Sequence, residues 1–144
     1  MDVPESVVVV ARVCKEALSV AEHEDGVAHA HMGAVVSFCG VVRDHDGGAS
    51  VERLFYEGHP HAEQILKSIA SDVAARYPAV RVAISHRIGD LVVGDVALVA
   101  AVASAHRAQA FSACAELVED VKARLPIWKE QFFSDGTSEW VGSL

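Results

Sequence analysis

Two lysines stand seven residues apart in the segment LVEDVKARLPIWKEQ, residues 117–131, on either side of a Pro-Ile-Trp sequence. Helical periodicity before Pro126 puts Lys122 at the edge of an apolar stripe instead of on the solvated face. A lysine at such a rim, near other cations, loses hydration, and its pKa falls toward neutrality. Lys122 and Lys129 are therefore candidates for proton transfer or nucleophilic attack. The ordinary alternatives are a pair between Lys122 and Glu119, and a water-facing strand lysine at 129.

A second basic pair, His106 and Arg107, begins the same predicted helix. Arg107 falls in the middle of the apolar stripe on a helical wheel, in a first turn where the helix dipole disfavours a cation. With Ser104 as the predicted N-cap, the free backbone N–H groups and these two side chains would form a site for a phosphate or a carboxylate. The alternative is an arginine that snorkels past the core to solvent or to an acidic side chain.

Arg43 ends an apolar segment beside the turn DHDGG, where a side chain can project from a sheet edge into a cleft. The alternative is an ordinary charge at a strand end. The chain has 20 acidic and 12 basic residues and a formal net charge of −8. An anionic ligand is therefore bound only where basic residues are gathered locally, and nucleic acid is not an expected partner.

Other residues capable of chemistry are less well placed. Two His-x-His pairs, at residues 29–31 and 59–61, have no further ligand at a metal-binding spacing, so we predict no metal site. The cysteines Cys14, Cys39 and Cys114 are an odd number without a C-x-x-C pair, so reduced thiols are expected. Cys39 and Cys114 lie in apolar segments and are predicted to be buried, which argues against a thiol nucleophile.

Alternation and helical periodicity predict the elements that must position these residues. Strands are predicted over residues 6–13, 33–43, 50–57, 81–88, 96–104, 127–133 and 139–141, and helices over 14–24, 60–77 and 105–125. The second and third strands are expected to form a hairpin across DHDGG, and the fourth and fifth to pair antiparallel. The third helix carries the apolar stripe Ala110, Phe111, Cys114, Leu117, Val118, Val121 and Leu125, and Pro126 ends it. The pattern indicates an α+β fold in which three helices pack on a mainly antiparallel sheet.

The chain length and the uncharged runs bound the class of protein. The 144 residues suffice for one core, and we predict a single domain over residues 1–144. The longest uncharged runs hold ten residues, fewer than the roughly 18 that a membrane span needs. The N-terminal sequence has acidic residues where a secretory signal carries positive charge, so we expect a cytoplasmic protein.

Five segments in this order and spacing resemble the large, catalytic subunit of molybdopterin synthase: GAVVSFCGVVRDHDGG, LFYEGHP, SHRIGDLVVGD, SAHRAQAF and KARLPIWKEQFFSDGTSEWV. The resemblance covers residues 33–141 and implies an α/β hammerhead-like fold. It also implies a sulfurtransferase that converts cyclic pyranopterin monophosphate to molybdopterin. The sulfur would come from the C-terminal Gly-Gly thiocarboxylate of a small ubiquitin-like partner.

The resemblance also implies roles for particular residues. The catalytic lysines would be Lys122 and Lys129, and the substrate-binding residues Arg43, His106, Arg107 and Phe38. We expect no cofactor. The resemblance implies a homodimer of large subunits within a heterotetramer that carries one small subunit at each end. Two other interpretations stay open: a non-catalytic module that binds a ubiquitin-like tail or a phosphorylated metabolite, and a cysteine-dependent sulfurtransferase.

This chain departs from its relatives beside the second lysine. Where many relatives read Trp-Lys-Lys-Glu, it reads Trp128-Lys129-Glu130-Gln131, so a carboxylate replaces a cation next to Lys129. The exchange could alter the pKa of that lysine or the contacts with the partner. His59 stands where an aromatic Tyr is common.

Overall fold

The secondary structure follows from a computed structural model that describes residues 5–142. In chain order its elements are β1 (Val7–Cys14), α1 (Val20–Val27), β2 (Ala34–Val41), β3 (His45–Asp46), β4 (Ala49–Gly58), α2 (Ala62–Ala75), β5 (Arg81–Arg87), β6 (Gly89–Val92), β7 (Val96–Ser104), α3 (Arg107–Arg124), β8 (Ile127–Phe133) and β9 (Ser138–Gly142). Helices and mainly antiparallel strands together confirm the predicted α+β class.

The strands form two sheets. The first has the order β1-β5-β7-β2, and the second has the order β3-β4-β8-β9 with β6 also paired to β4. Strands β1 and β5 are parallel, whereas the other pairs are antiparallel. The predicted antiparallel pair of β5 and β7 is confirmed, with Arg81 opposite Ala103.

The predicted hairpin between residues 33–43 and 50–57 is wrong, because β2 and β4 lie in different sheets. Strand β2 pairs along its whole length with β7, and Val42 continues this attachment through backbone hydrogen bonds to Gly94 and Asp95. The Gly47-Gly48 turn, with φ angles of 56° and 83°, closes only the two-residue strand β3 onto the start of β4. The chain therefore changes sheets between β2 and β3.

The first sheet is covered on both faces. Helices α2 and α3 pack on one face and bury the main core, which includes Leu66, Ile69, Leu117 and Val121. Helix α1 covers part of the other face, where Val27 packs with small side chains of β5 and β7. Strand β7 is buried on both sides, which explains its continuous apolar sequence. None of the helices within residues 5–142 is long and apolar enough to cross a membrane.

Helix starts differ from the predicted ones. Helix α1 begins at Val20 because the Ser19 hydroxyl accepts the Glu22 N–H as an N-cap, and residues 14–19 are not helical. Helix α3 has His106 as its N-cap residue, without a side-chain cap, and Ser104 ends β7 instead. The Ser104 hydroxyl donates to the His106 carbonyl, so it is not available to the helix N–H groups.

Candidate active site

A cleft of about 360 Å³ lies where the two sheets meet beside the C-terminal half of α3. Strands β2, β5 and β7 of the first sheet and β4 and β8 of the second contribute to its walls. The polar and aromatic side chains that line it are Phe38, Cys39, Arg43, Tyr56, His86, Lys122, Lys129 and Gln131. Among the described residues that line the cleft, three are cations and none is a carboxylate. The cleft is therefore suited to an anionic ligand.

Four of the residues named from the sequence come together here: Phe38, Arg43, Lys122 and Lys129. Arg43 follows the edge strand β2, and Lys122 lies in the last turns of α3. The chain leaves the helix at Pro126 and returns as β8, in which Lys129 lies opposite Tyr56 of β4. The helix stop thus brings the second lysine back to the cleft that the first lysine lines.

His106 and Arg107 do not reach this cleft within the same chain. They lie at the N-terminal end of α3, and the 15 residues from Arg107 to Lys122 correspond to about 22 Å along a helix. The prediction that Arg107 sits in a buried stripe is wrong, since it is exposed in the first turn. Phe111, also expected in the stripe, is 60% exposed at the border of the buried face. At 100° per residue, Arg107, Phe111 and Lys122 nevertheless lie within about 60° along one side of the helix.

The surroundings of Lys129 lower the pKa of its ammonium group. Its side chain is half-buried, and this burial lowers the pKa of its ammonium group. Arg43 and Lys122 lower the pKa further, whereas the carboxylates of Asp46 and Glu139 act in the opposite direction. An ammonium group with a lowered pKa gives up its proton more readily, as a general acid requires.

Gln131 is a cleft residue that the sequence reasoning missed. It is buried, with 3% of its surface exposed, and its Nε2 donates a hydrogen bond of 2.7 Å to Oδ2 of Asp46. The other Asp46 oxygen lies 3.5 Å from the Arg43 guanidinium. The hydrogen bond from Gln131 is the main cause that lowers the pKa of Asp46, with Lys129 and Arg43 adding to it. Because strand neighbours two apart share a face, the position two residues after Lys129 could have indicated this role.

Glu130, the carboxylate next to Lys129 in sequence, lies on the opposite face of β8. It is opposite Phe55 of β4 and Trp140 of β9 in the sheet, and it is not part of the cleft lining. Successive side chains of a strand point to opposite faces, so Glu130 is directed away from Lys129. The exchange that the sequence places beside the lysine therefore does not put a carboxylate in the cleft.

Tyr56 and His86 were also missed. His86 on β5 is 1% exposed, and its ring packs edge-on against Tyr56 with centroids 5.1 Å apart. Burial lowers the pKa of His86 to about 4, so its imidazole is neutral near pH 7. The sequence carried one signal for His86, which is a histidine inside an apolar strand. A polar side chain buried at such a position is expected to have a hydrogen-bond partner or a functional role.

Cys39 and Cys114, the two cysteines predicted to be buried, differ in their exposure to solvent. Cys114 is buried in α3 as predicted, and burial raises the pKa of its thiol to about 11. The prediction that Cys39 is buried is wrong: it is exposed and lines the cleft. The reason is that β2 is an edge strand whose alternate residues face outward.

Together, the fold and the cleft define an α+β protein with a cationic site for an anion at the junction of two sheets. A sequence model of the MoaE protein family matches residues 13–124. The chain is 42% identical over 132 residues to molybdopterin synthase catalytic subunit 1 of Mycobacterium tuberculosis, covering 91% of this chain and 89% of that protein. It is 43% identical over 119 residues to the molybdopterin synthase catalytic subunit of Halalkalibacterium halodurans, covering 82% and 76%.

Solved structures agree with these sequence relationships. The crystal structure of molybdopterin synthase from Staphylococcus aureus matches with a TM-score of 0.85 and 34% identity, covering 90% of this chain and 95% of that one. A complex of subunits 1 and 2 of the molybdopterin-converting factor from Helicobacter pylori shares the fold, with a TM-score of 0.71, 18% identity and coverage of 91% and 88%. The chain belongs to the MoaE family, the catalytic subunits of molybdopterin synthase.

Proposed function

We propose that the chain is the catalytic subunit of a molybdopterin synthase and acts in the cytoplasm. It would transfer sulfur from the thiocarboxylated C-terminus of a small ubiquitin-like partner to cyclic pyranopterin monophosphate, and so form the dithiolene of molybdopterin. The observation that carries this proposal is the cleft with Arg43, Lys122 and Lys129 and no carboxylate in its described lining. The phosphate of the precursor and the thiocarboxylate of the partner are both anions, and both need such a site.

The roles of the cations follow from their chemistry. The Arg43 guanidinium is always charged and can hold a phosphate through two parallel hydrogen bonds, which orients the precursor. Lys122 and Lys129 lie where they can stabilise developing oxyanions and exchange protons with the reacting groups. Each exchange puts one sulfur on the precursor in place of one oxygen and returns the partner terminus as a carboxylate, so no electron donor or acceptor is needed.

A second copy of the chain would complete this site. The sequence predicts that His106 and Arg107 bind the phosphate of the substrate. The length of α3, however, keeps them about 22 Å from Lys122 in the same chain. The missing basic pair must therefore come from another protomer if it is to act on the same ligand. This requirement supports the homodimer that the family resemblance implies.

The edge strand β2 offers a geometry for that dimer. Its first residue, Ala34, pairs with Ser104 just before His106, and its last residue, Val41, lines the cleft. An antiparallel pair of two β2 strands about a two-fold axis would place the start of one α3 beside the cleft of the other protomer. Eight strand residues span about 26 Å, which is close to the separation of Arg107 and Lys122 along the helix. Exposed Val35, Val41 and Phe111 offer apolar surface along this edge.

The deciding experiment mixes the protein with a thiocarboxylated small subunit and cyclic pyranopterin monophosphate and follows dithiolene formation. We expect conversion by the wild type and none by Lys122→Ala, which should keep its fold because Lys122 is exposed. Binding of both ligands without conversion by the wild type would instead identify a non-catalytic module.

The exposed thiol of Cys39 favours one further candidate, a transfer in which this cysteine carries the sulfur. A variant with all three cysteines replaced by Ser or Ala distinguishes the two routes. We expect it to retain most of the conversion rate, because the partner terminus already supplies the sulfur. A folded, cysteine-free protein that binds the partner but transfers no sulfur would establish the carrier route.

A further inference from the structure

His86 is held in one tautomer at the floor of the cleft. Its Nδ1 lies 2.7 Å from the carbonyl oxygen of Arg87, and a carbonyl oxygen can only accept a hydrogen bond. Nδ1 therefore carries the proton, and Nε2 carries a lone pair. The edge-on contact with the Tyr56 ring fixes the plane of the imidazole.

His86 lines the cleft, and no hydrogen-bond partner for its Nε2 is found among residues 5–142. Arg87 is the one hydrogen-bond partner found for the His86 side chain within residues 5–142. In the same part of the chain, no fully buried side-chain nitrogen or oxygen lacks a partner. Nε2 is therefore not sealed in the core, and the accessible space at His86 is the cleft that it lines.

A neutral acceptor is chemically distinctive in this position. The described lining offers three cations and no carboxylate, so its charged groups supply donors for anionic groups, and acceptors for N–H groups come from neutral side chains such as Gln131, Tyr56 and His86. A carboxylate at the floor would accept hydrogen bonds but would also repel a phosphate. A neutral imidazole accepts without that repulsion, and burial keeps the pKa of His86 low enough for it to stay neutral.

We propose that Nε2 of His86 accepts a hydrogen bond from an N–H group of the pyranopterin ring and thereby orients the ring at the floor of the cleft. This inference rests on the proposed function and adds a residue that recognises the ring to the residues that hold the phosphate. A reduced pterin carries several N–H donors that need acceptors, whereas the anionic end of a thiocarboxylate tail needs donors. An amide N–H of that tail is the other source of the same hydrogen bond.

The direct test is the ¹⁵N resonance of His86 Nε2 in the full-length wild-type protein. Addition of cyclic pyranopterin monophosphate alone should shift it, since a hydrogen bond to a lone pair changes the nitrogen shielding. Addition of the small subunit with an ordinary carboxylate terminus should leave it in place. A shift with the subunit only, or with neither ligand, would overturn the proposal. This measurement needs no turnover, so its result is separate from failure of the conversion assay.

Two variants extend the test to kinetics. His86→Leu fills the space without an acceptor, and His86→Gln returns an amide oxygen near the position of Nε2. We expect the KM for the precursor to rise about tenfold in the Leu variant and to recover to within about threefold in the Gln variant, as for one hydrogen bond. The Kd for the small subunit should stay unchanged in both. An unchanged KM in a folded Leu variant, or equal losses in KM and in Kd, would contradict a role in ring recognition.

Discussion

Gln131 on β8 donates a hydrogen bond from Nε2 to Oδ2 of Asp46 on β3 over 2.7 Å, although 85 residues separate them in the chain. Asp46 also lies 3.5 Å from the Arg43 guanidinium. A buried amide thus positions the carboxylate that serves as the counter-ion of a cleft arginine. The contact between Gln131 and Asp46 lies within the second sheet, which contains both β8 and β3. Gln131 also shares a face of β8 with Lys129.

Replacing Gln131 by Leu should lower the thermal unfolding temperature by about 3 °C, because it removes this hydrogen bond and leaves Asp46 without its positioning partner. Glu130→Gln is the matched control on the opposite face of the same strand, and it should leave the temperature unchanged. In an Asp46→Ala background, Gln131→Leu should lower the unfolding temperature much less, because the hydrogen-bond partner is already absent. Equal losses in both backgrounds would mean that Gln131 contributes packing alone.

Lys129→Arg should separate charge from proton transfer. The guanidinium keeps the positive charge, but it does not release a proton in the accessible pH range. We expect kcat to fall about 100-fold or more, while the KM for the precursor changes little. Arg43→Lys should show the reverse pattern, with a raised KM and a smaller effect on kcat. A Lys129→Arg enzyme with full kcat would reduce Lys129 to an electrostatic role.

Mixed dimers test whether two protomers build one site. Arg107→Ala and Lys122→Ala should each be inactive alone. If each site takes Arg107 from one chain and Lys122 from the other, a mixed dimer carries both lesions in one site and none in the other. After random exchange of equal amounts of the two variants, half of the dimers are mixed, and half of the sites in those dimers are intact. The mixture should therefore regain about a quarter of the wild-type activity. No recovery, with exchange verified by tagged chains, would contradict a site that combines Arg107 of one chain with Lys122 of the other.

His86 should make the protein less stable in acid. The folded pKa of His86 is about 4, and the ordinary value is 6.5. Between these values the unfolded chain binds a proton that the folded one excludes, so the free energy of unfolding falls as pH drops. The shift from the ordinary pKa to the folded pKa corresponds to a loss of about 3 kcal/mol in the free energy of unfolding. Urea unfolding at about pH 7 and about pH 4 should show this loss in the wild type, and His86→Gln should lack that part of it.

Local pattern in the sequence was enough to identify several features of the fold. Helical periodicity and Pro126 predicted the third helix and its end, and alternation predicted most strands. These predictions were possible because the buried face of a helix or strand repeats at a fixed spacing in the local sequence. The net charge of −8 indicated that an anionic ligand would bind only where basic residues are gathered locally. The separation of Arg107 from Lys122 was also contained in the sequence, since a helix has a fixed rise per residue.

Only the tertiary structure decided which strands pair and where the sheets meet. The predicted hairpin was wrong because β2 finds its partner in β7, far along the chain, and strand pairing depends on such long-range contacts. The same contacts bring Gln131 to Asp46 and put His86 at the floor of the cleft. Periodicity tells which side of an element is buried, but the neighbours that bury it come from distant segments. The cationic residues were therefore visible in the sequence, whereas the neutral residues that position them and complete the cleft were not.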